Sequence, residues 1–145
     1  IMTKVIHPVL AFAVILIIGC TNSKKAAIEN PYVGAWLVTY TKYIYPDTIY
    51  ETKNSVNPNV KLLTSKHYAF GRQSGKNLII GGGGEYKFKD DVFKTYPKYH
   101  SNSVLVGDSL IMKSKIEGDL WTITYSVDLD TLKVEATEIW KRIPE

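Results

Sequence analysis

The amino-acid sequence predicts an all-β domain, folded as an antiparallel up-and-down β-barrel of about eight to ten strands. From Gly34 onward apolar and polar residues alternate with a period of two, most clearly over residues 121–127. Turn residues separate the alternating segments at the spacing that is typical of a sandwich or a barrel. No segment of ten or more residues shows the apolar stripe of an amphipathic helix.

The predicted strands are separated by recognisable turns. The strands on either side of Glu117-Gly118-Asp119 form one hairpin, and those on either side of Asp90-Asp91 form another. Residues 53–59 are predicted to form a loop, in which Asn57-Pro58-Asn59 interrupts regular structure. Four glycines, Gly81-Gly82-Gly83-Gly84, indicate a bulge, a barrel corner or a mobile loop. After the strand that begins at Gly34, the predicted strands are 48–52, 60–64, 68–72, 85–89, 92–96, 110–116, 121–127 and 132–142.

The N-terminal segment has the pattern of an export signal that ends at a cysteine. Lys4 precedes the apolar run 9–18, which is too short to span a hydrocarbon core of about 30 Å. Ile17-Ile18-Gly19-Cys20 resembles the bacterial lipobox. That resemblance implies cleavage before Cys20 and lipidation of its thiol. Residues 1–19 would then be a lipoprotein signal peptide, 20–31 a lipidated tether and 32–145 the barrel domain.

A lipid anchor at Cys20 implies a protein of the bacterial cell envelope that is attached to the membrane through this residue. Two or three acyl chains give stable attachment, whereas a single chain gives only marginal binding. Thr21 is not the aspartate associated with inner-membrane retention, and residues 21–25 lack the acidic run linked to surface display. We therefore expect an outer-membrane lipoprotein that faces the periplasm. The alternative is an ordinary secretory signal with a chance cysteine.

Composition narrows the classes of partner. The formal net charge is +4, and the basic residues are spread along the chain with no cluster beyond Lys24-Lys25, so no nucleic-acid partner is predicted. Cys20 is the only cysteine, which leaves no intramolecular disulfide. Nothing in the sequence indicates a cofactor, and the oligomeric state is open.

The sequence carries no recognisable catalytic or metal-binding motif, and we predict that the protein is not an enzyme. Segment 71–76 is one residue short of a phosphate loop, and Asn77 stands where Ser or Thr would bind magnesium. His67 and His100 lack metal-ligand spacing. An enzyme would need titratable groups such as His67, His100 and Glu85 in one pocket, which the sequence cannot place together.

Two segments at opposite ends of the barrel domain carry a family resemblance. Gly34-Ala35-Trp36 opens the first long strand, and Trp140-Lys141-Arg142 closes the last. The pair resembles the lipocalin superfamily, in which a G-x-W motif places an indole across the closed end of a barrel and a basic residue of the final strand packs over it. The resemblance covers about residues 32–143 and implies a barrel-closing cation–π contact between Trp36 and Arg142 or Lys141.

The alternation also predicts which side chains face the lumen. If Trp36 points inward, the period of two places Val38 and Tyr40 inward as well. The candidate ligand-binding residues predicted in this way are Tyr40, Tyr68, Phe70, Tyr86, Phe88, Met112, Tyr125 and Glu138. Simple core packing is the alternative, since small barrels can fill their interior with side chains. An inward Glu138 would either pair with Arg142 or anchor a polar headgroup.

These observations predict a membrane-anchored lipoprotein that binds or carries a small, partly apolar ligand in the cell envelope. Aromatic walls would supply contact area, and tyrosine hydroxyls would orient the ligand. The alternative is a structural or interaction lipoprotein with a filled barrel, which binds another protein through a sheet face or the glycine-rich segment.

Overall fold

A computed structural model describes residues 29–129 and 132–144, apart from the side chain of Leu129. The predicted signal peptide, most of the tether and Cys20 lie outside the described residues. The described chain forms nine strands and one 3₁₀ turn (Ser103–Leu105), and the strands are β1 (Gly34–Ile44), β2 (Ile49–Lys53), β3 (Val60–Leu63), β4 (His67–Ser74), β5 (Asn77–Lys89), β6 (Val92–His100), β7 (Leu110–Glu117), β8 (Leu120–Leu129) and β9 (Leu132–Arg142).

The strands close into an antiparallel barrel, which confirms the predicted fold class. Consecutive strands from β3 to β9 pair with one another, β9 returns to pair with β1, and β1 pairs with β3. The first half of β1 pairs with β3, while its second half, from Tyr40 onward, pairs with the short strand β2. Eight strands therefore form the ring and β2 extends one side of it. Closure removes the free sheet edges that an open antiparallel sheet would expose.

The predicted hairpins lie where the turn residues indicated. Asp90 has a φ of 54° between the paired residues Lys89 and Val92, and Gly118 has a φ of 59° between Glu117 and Leu120. Aspartate and glycine are among the residues that tolerate this left-handed conformation. The β5–β6 and β7–β8 hairpins thus follow from local turn chemistry.

Three bulges interrupt the alternation, and the one in β5 leaves Ile79 extra, because Arg72 pairs with Ile80 and Gln73 with Leu78. In β1, Val38 pairs with Trp140 but Tyr40 pairs with Ile139, so Thr39 is an extra residue. In β6, Tyr99 and Pro97 pair with adjacent glycines of β5, so Lys98 is extra there. An extra residue shifts the alternation of the strand beyond it by one position.

The four glycines lie inside β5 and not in a loop, and the predicted bulge is found on the strand opposite them. Gly82, Gly83 and Gly84 are buried. A Cβ on Gly83 would collide with the Tyr99 side chain, and one on Gly84 would collide with the main-chain carbonyl of Tyr96. Glycine allows β6 to cross β5 closely at this corner.

The hydrophobic core fills the end of the barrel where β1 begins. Tyr32 lies beneath the ring of strands, with its ring centroid 5.3 Å from that of Trp121 and 4.8 Å from that of Phe93. Trp36 packs on Trp121 at 5.4 Å, and both indoles are fully buried. This aromatic cluster closes one end of the barrel. Within the described ranges, no helix is long and apolar enough to cross a membrane.

The barrel-closing contacts that the structure describes all lie within residues 29–144. The segment 30–33 contributes to them, because the Tyr32 hydroxyl is hydrogen-bonded to Ser114 Oγ at 2.9 Å and the Tyr32 carbonyl accepts from Trp36 Nε1 at 2.9 Å. A chain of residues 21–145 would retain all of these contacts.

Candidate functional site

The opposite end of the barrel holds a cavity of about 440 Å³. It lies above the aromatic cluster, with Lys61 and Trp140 among its lining residues, and extends to the segment that contains the 3₁₀ turn. Its volume is in the range of small-molecule sites. The lining is mixed: Tyr43, Asn59, Lys61, Tyr68, Phe70, Ile80, Thr95, Pro97, Val104, Leu105, Asp108, Ser109, Leu110, Met112, Ile123, Tyr125, Ser126, Val127, Asp128, Glu138 and Trp140.

A buried carboxylate organises the polar wall of the cavity. Glu138 Oε1 accepts hydrogen bonds from the hydroxyls of Tyr43 and Tyr125, both at 2.9 Å. Glu138 Oε2 accepts from Trp140 Nε1, also at 2.9 Å. The three donors come from β1, β8 and β9, which are adjacent strands in the barrel. Both carboxylate oxygens are therefore occupied by protein donors.

The two tyrosine hydroxyls of this group are held in their protonated form. Burial raises the pKa of Tyr43 far above its usual value, and the negative charge of Glu138 raises it further. Burial and Glu138 likewise raise the pKa of Tyr125. At neutral pH both side chains act as hydrogen-bond donors to the carboxylate.

A buried lysine lies at the floor of the cavity. Lys61 is 8% exposed, and its Nζ lies 4.0 Å from the ring centroid of Trp140 and 4.8 Å from that of Trp121. Burial lowers the pKa of Lys61 to about 8, and the negative charge of Glu138 acts in the opposite direction. Within residues 29–129 and 132–144, the amine has no hydrogen-bond acceptor and no carboxylate oxygen within 4.0 Å.

Two polar side-chain atoms are fully buried without a hydrogen-bond partner among the described residues, and Lys61 Nζ, which lines the cavity, is not one of them. One is Asn59 Oδ1, an acceptor on a lining residue. The other is Arg72 Nε, whose guanidinium acts on Tyr43 through its charge. Buried polar groups are normally hydrogen-bonded, so unpaired ones beside a cavity indicate where a bound molecule could make contacts.

Five of the predicted ligand-binding residues are brought together in the cavity wall: Tyr68, Phe70, Met112, Tyr125 and Glu138. The expected ion pair between Glu138 and Arg142 does not form. Glu138 is satisfied by Tyr43, Tyr125 and Trp140, while Arg142 lies at the closed end.

The inward orientation expected for Tyr40 is wrong, because the bulge at Thr39 shifts the alternation. Tyr40 pairs with the outward-facing Ile139, and Lys53 Nζ lies 6.0 Å from its ring. Tyr43 takes the inward position instead and lines the cavity.

Tyr86 and Phe88 lie at the closed end and not in the cavity. The Tyr86 hydroxyl donates to the Thr64 carbonyl at 2.6 Å and accepts from Asn30 Nδ2 at 2.8 Å. Phe88 is 38% exposed and packs on Tyr32 at 4.9 Å. Both face inward from β5, and the last residues of this long strand lie at the closed end of the barrel.

The residues predicted to close the barrel are in contact. Arg142 Cζ lies 4.1 Å from the Trp36 ring centroid, and the two residues are cross-strand partners. Arg142 also donates to the carbonyls of Val33 at 2.8 Å and Pro31 at 2.7 Å. Lys141, the other candidate cation, is exposed on the outer face.

Most of the lining residues were not among the predicted ligand-binding residues, and Tyr43 and Lys61 are two of them. Tyr43 could not be found, since only the bulge places it inward. Lys61 could have been found, because alternation with the inward Leu63 places it on the inner face; a lysine within a short apolar strand was the available signal.

His67 and His100 are not clustered. His67 is the cross-strand partner of Glu85, and both are exposed. His100 pairs with Gly82, which comes before Glu85 in β5, and packs on Phe70 at 5.3 Å. In the part of the chain that the structure describes, no group of three or more metal-ligating side chains is found.

No family model matches the chain, and no curated protein matches it. Three chains of solved structures match. One is an uncharacterized protein from Bacteroides eggerthii DSM 20697, which is 12% identical with a TM-score of 0.49, over 77% of this chain and 99% of that chain. The geometry of the cavity therefore has to carry the functional argument.

Proposed function

We propose that this protein is a lipocalin-like binding protein that holds a small, partly apolar molecule in the open half of its barrel. The cavity of about 440 Å³ carries the proposal. Phe70, Ile80, Met112 and Ile123 provide an apolar wall, and Tyr68, Lys61 and Asn59 provide polar groups. Ligand sites commonly combine an apolar lining with a few placed polar groups in this way.

Native mass spectrometry of residues 21–145 tests this function. We expect a reproducible adduct of low mass that is lost on denaturation and released as a discrete small molecule. Ile123→Trp should abolish the adduct, since Ile123 is 1% exposed and a larger ring there would occupy the cavity. Ile111→Trp, at an outward position that is 59% exposed, is the matched control. A bare protein that also ignores apolar fluorescent probes would contradict the proposal.

We also propose that the barrel is tethered to a bacterial membrane, in the periplasm-facing leaflet of the outer membrane, through lipid on Cys20. The proposal rests on the lipobox-like residues 17–20 and the preceding apolar run. Cys20→Ser should move the protein from the membrane to the soluble fraction of cells and abolish incorporation of labelled fatty acid. Ser23→Ala is the control. Membrane attachment that survives Cys20→Ser would contradict lipidation.

The alternative function, a filled barrel that binds another protein, gains less support. Gly82, Gly83 and Gly84 are buried in β5, so the glycine-rich segment offers little surface to a partner. The aromatic cluster fills only the closed half of the barrel, and the open half retains the cavity.

A further inference from the structure

We propose that Lys61 binds the acidic headgroup of an amphipathic ligand, which enters the barrel with its headgroup first and leaves its apolar tail toward the open end. This inference rests on the proposed function and specifies the chemistry and the orientation of the ligand. The carrying observation is an amine at the floor of an apolar-walled cavity that has no acceptor among the described residues.

The position of Lys61 is built into the barrel. Lys61 pairs with Trp36 on one side and Phe70 on the other, so it shares the inner face with both. Its Nζ lies over the rings of Trp140 and Trp121, which form the top of the aromatic cluster. The side chain cannot point deeper, because the cluster below is packed. The amine therefore faces the cavity.

The hydrogen-bond pattern favours an anion over a cation as the guest. Glu138 is the negative group whose charge acts on Lys61, but its oxygens already accept from Tyr43, Tyr125 and Trp140. A cationic guest would find three of the four acceptor positions of that carboxylate filled and one left, on Oε2. An anionic guest would find the Lys61 ammonium over two indole rings and without an acceptor oxygen among the described residues, and a charge-assisted hydrogen bond there would relieve the cost of burying the amine.

The remaining lining favours a guest with one polar end. Beyond Lys61 the apolar part of the wall is formed by Phe70, Ile80, Leu110, Met112 and Ile123, which would contact an apolar tail. Asn59 Oδ1, buried without a partner in the described chain, could accept a hydrogen bond from a hydroxyl or amide on the ligand. A carboxylic acid with an aliphatic or aromatic tail matches this pattern.

The test compares decanoate with 1-decanol, which differ in the acidic group alone. Binding to residues 21–145 is followed by tryptophan fluorescence at pH 7, because two of the three indoles contact the Lys61 amine. We expect decanoate to bind at least about tenfold more tightly than decanol, the ratio expected for one charge-assisted hydrogen bond. Lys61→Met should reduce this ratio to about one while decanol binding persists, and the exposed Lys113→Met should leave it unchanged.

A second readout is the titration of Lys61 itself by NMR of the Cε position. Bound decanoate should raise the pKa of Lys61, and the decanoate preference should shrink between pH 7 and pH 9.5 as the free amine loses its proton. The other charged or titratable groups in the lining are Tyr43, Tyr68, Asp108, Tyr125, Asp128 and Glu138. Those tyrosines whose pKa is raised stay neutral in this range.

The outcomes separate this inference from the proposed function. Equal affinity for both probes, or a decanoate preference that survives Lys61→Met, would overturn the headgroup assignment and leave a cavity that binds apolar molecules. Failure of both probes to bind at millimolar concentration would overturn the headgroup assignment together with cavity binding.

Discussion

Glu138 shows how one inward polar residue can organise a barrel wall. Its carboxylate collects Tyr43, Tyr125 and Trp140 from three adjacent strands. A buried carboxylate without such donors would be costly, because its hydration is lost and nothing replaces it. The three hydrogen bonds make that charge tolerable and fix the tyrosine rings that line the cavity.

Removing one of these donors should destabilise the barrel. Tyr125→Phe deletes a hydrogen bond to a charged acceptor and leaves Glu138 Oε1 with Tyr43 alone, so we expect a loss of about 1–3 kcal/mol in the free energy of unfolding. Tyr50→Phe is the control, since Tyr50 is 61% exposed and the same change there should stay within about 0.5 kcal/mol. Urea unfolding at pH 7 measures both. Equal stability of the two variants would show that the Tyr125 hydroxyl contributes nothing.

The lowered pKa of Lys61 predicts an unusual rise of stability in alkaline solution. Burial lowers its pKa to about 8 in the folded protein, from about 10.5 in the unfolded chain. Between these values the unfolded chain binds more protons, so the free energy of unfolding increases with pH. We expect a gain of roughly 2 kcal/mol from pH 7 to pH 10. Above pH 10 the trend reverses, because Tyr43 and Tyr125 keep their protons when folded and lose them when unfolded.

Urea unfolding across this pH range tests the linkage. The rise between pH 7 and pH 10 should disappear in Lys61→Met, which keeps an apolar stem of similar length against Trp140 and removes the charge. Lys113→Met should retain the rise, because Lys113 is exposed. A rise that persists in Lys61→Met would assign the effect to another group.

At the scale of the strand, the period of two could be read from the sequence but its interruptions could not. Alternation located the strands and the inward positions of Met112, Tyr125 and Glu138, because strands β7, β8 and β9 carry no bulge. It failed at Tyr40, since Thr39 carries no mark of an extra residue. A bulge is decided by how two strands pair across the barrel, and a single strand does not contain that information.

The glycines of β5 illustrate the same limit, because their composition indicates a special backbone without showing what crosses it. Gly84→Ala should destabilise the barrel by about 2–4 kcal/mol, since the added Cβ would strike the main-chain carbonyl of Tyr96 and a backbone cannot move aside cheaply. Gly71→Ala on β4 is the matched control. Its Cβ would meet Leu78 Cδ1 at 3.4 Å, an ordinary contact, and should cost less than about 1 kcal/mol. Thermal unfolding distinguishes the two variants, and equal losses would contradict the steric explanation.

At the scale of the whole molecule, the barrel divides into a packed half and an open half. Tyr32, Trp36, Phe93 and Trp121 fill the closed end, and the cavity occupies the end toward which β1 runs. The aromatic cluster supplies the buried apolar area that stabilises the barrel, and this leaves the other half free to keep polar groups and an open cavity. Closure depends on the pairing of β1 with β9, which brings the two ends of the barrel domain together.

Arg142 joins the elements that meet at this closure. It lies against the Trp36 ring and donates to the carbonyls of Pro31 and Val33, so it holds β1, β9 and the segment beneath the barrel at once. Arg142→Met should lower the free energy of unfolding by about 2–4 kcal/mol, through one cation–π contact and two charge-assisted hydrogen bonds. Lys141→Met, one residue away on the outer face, should be close to neutral.

Hydrogen exchange can show which part of the barrel loses stability in Arg142→Met. If Arg142 stabilises the closure locally, the amides of β1, β9 and residues 30–33 should exchange faster in Arg142→Met at pH 7. The β5–β6 hairpin on the far side of the barrel should keep its protection. The cavity should persist, because Lys61, Tyr125 and Glu138 do not contact Arg142 and the hydrogen bonds of Glu138 remain. A uniform increase across all strands would instead mean that the barrel opens as a single unit and that Arg142 contributes to global stability without a local role.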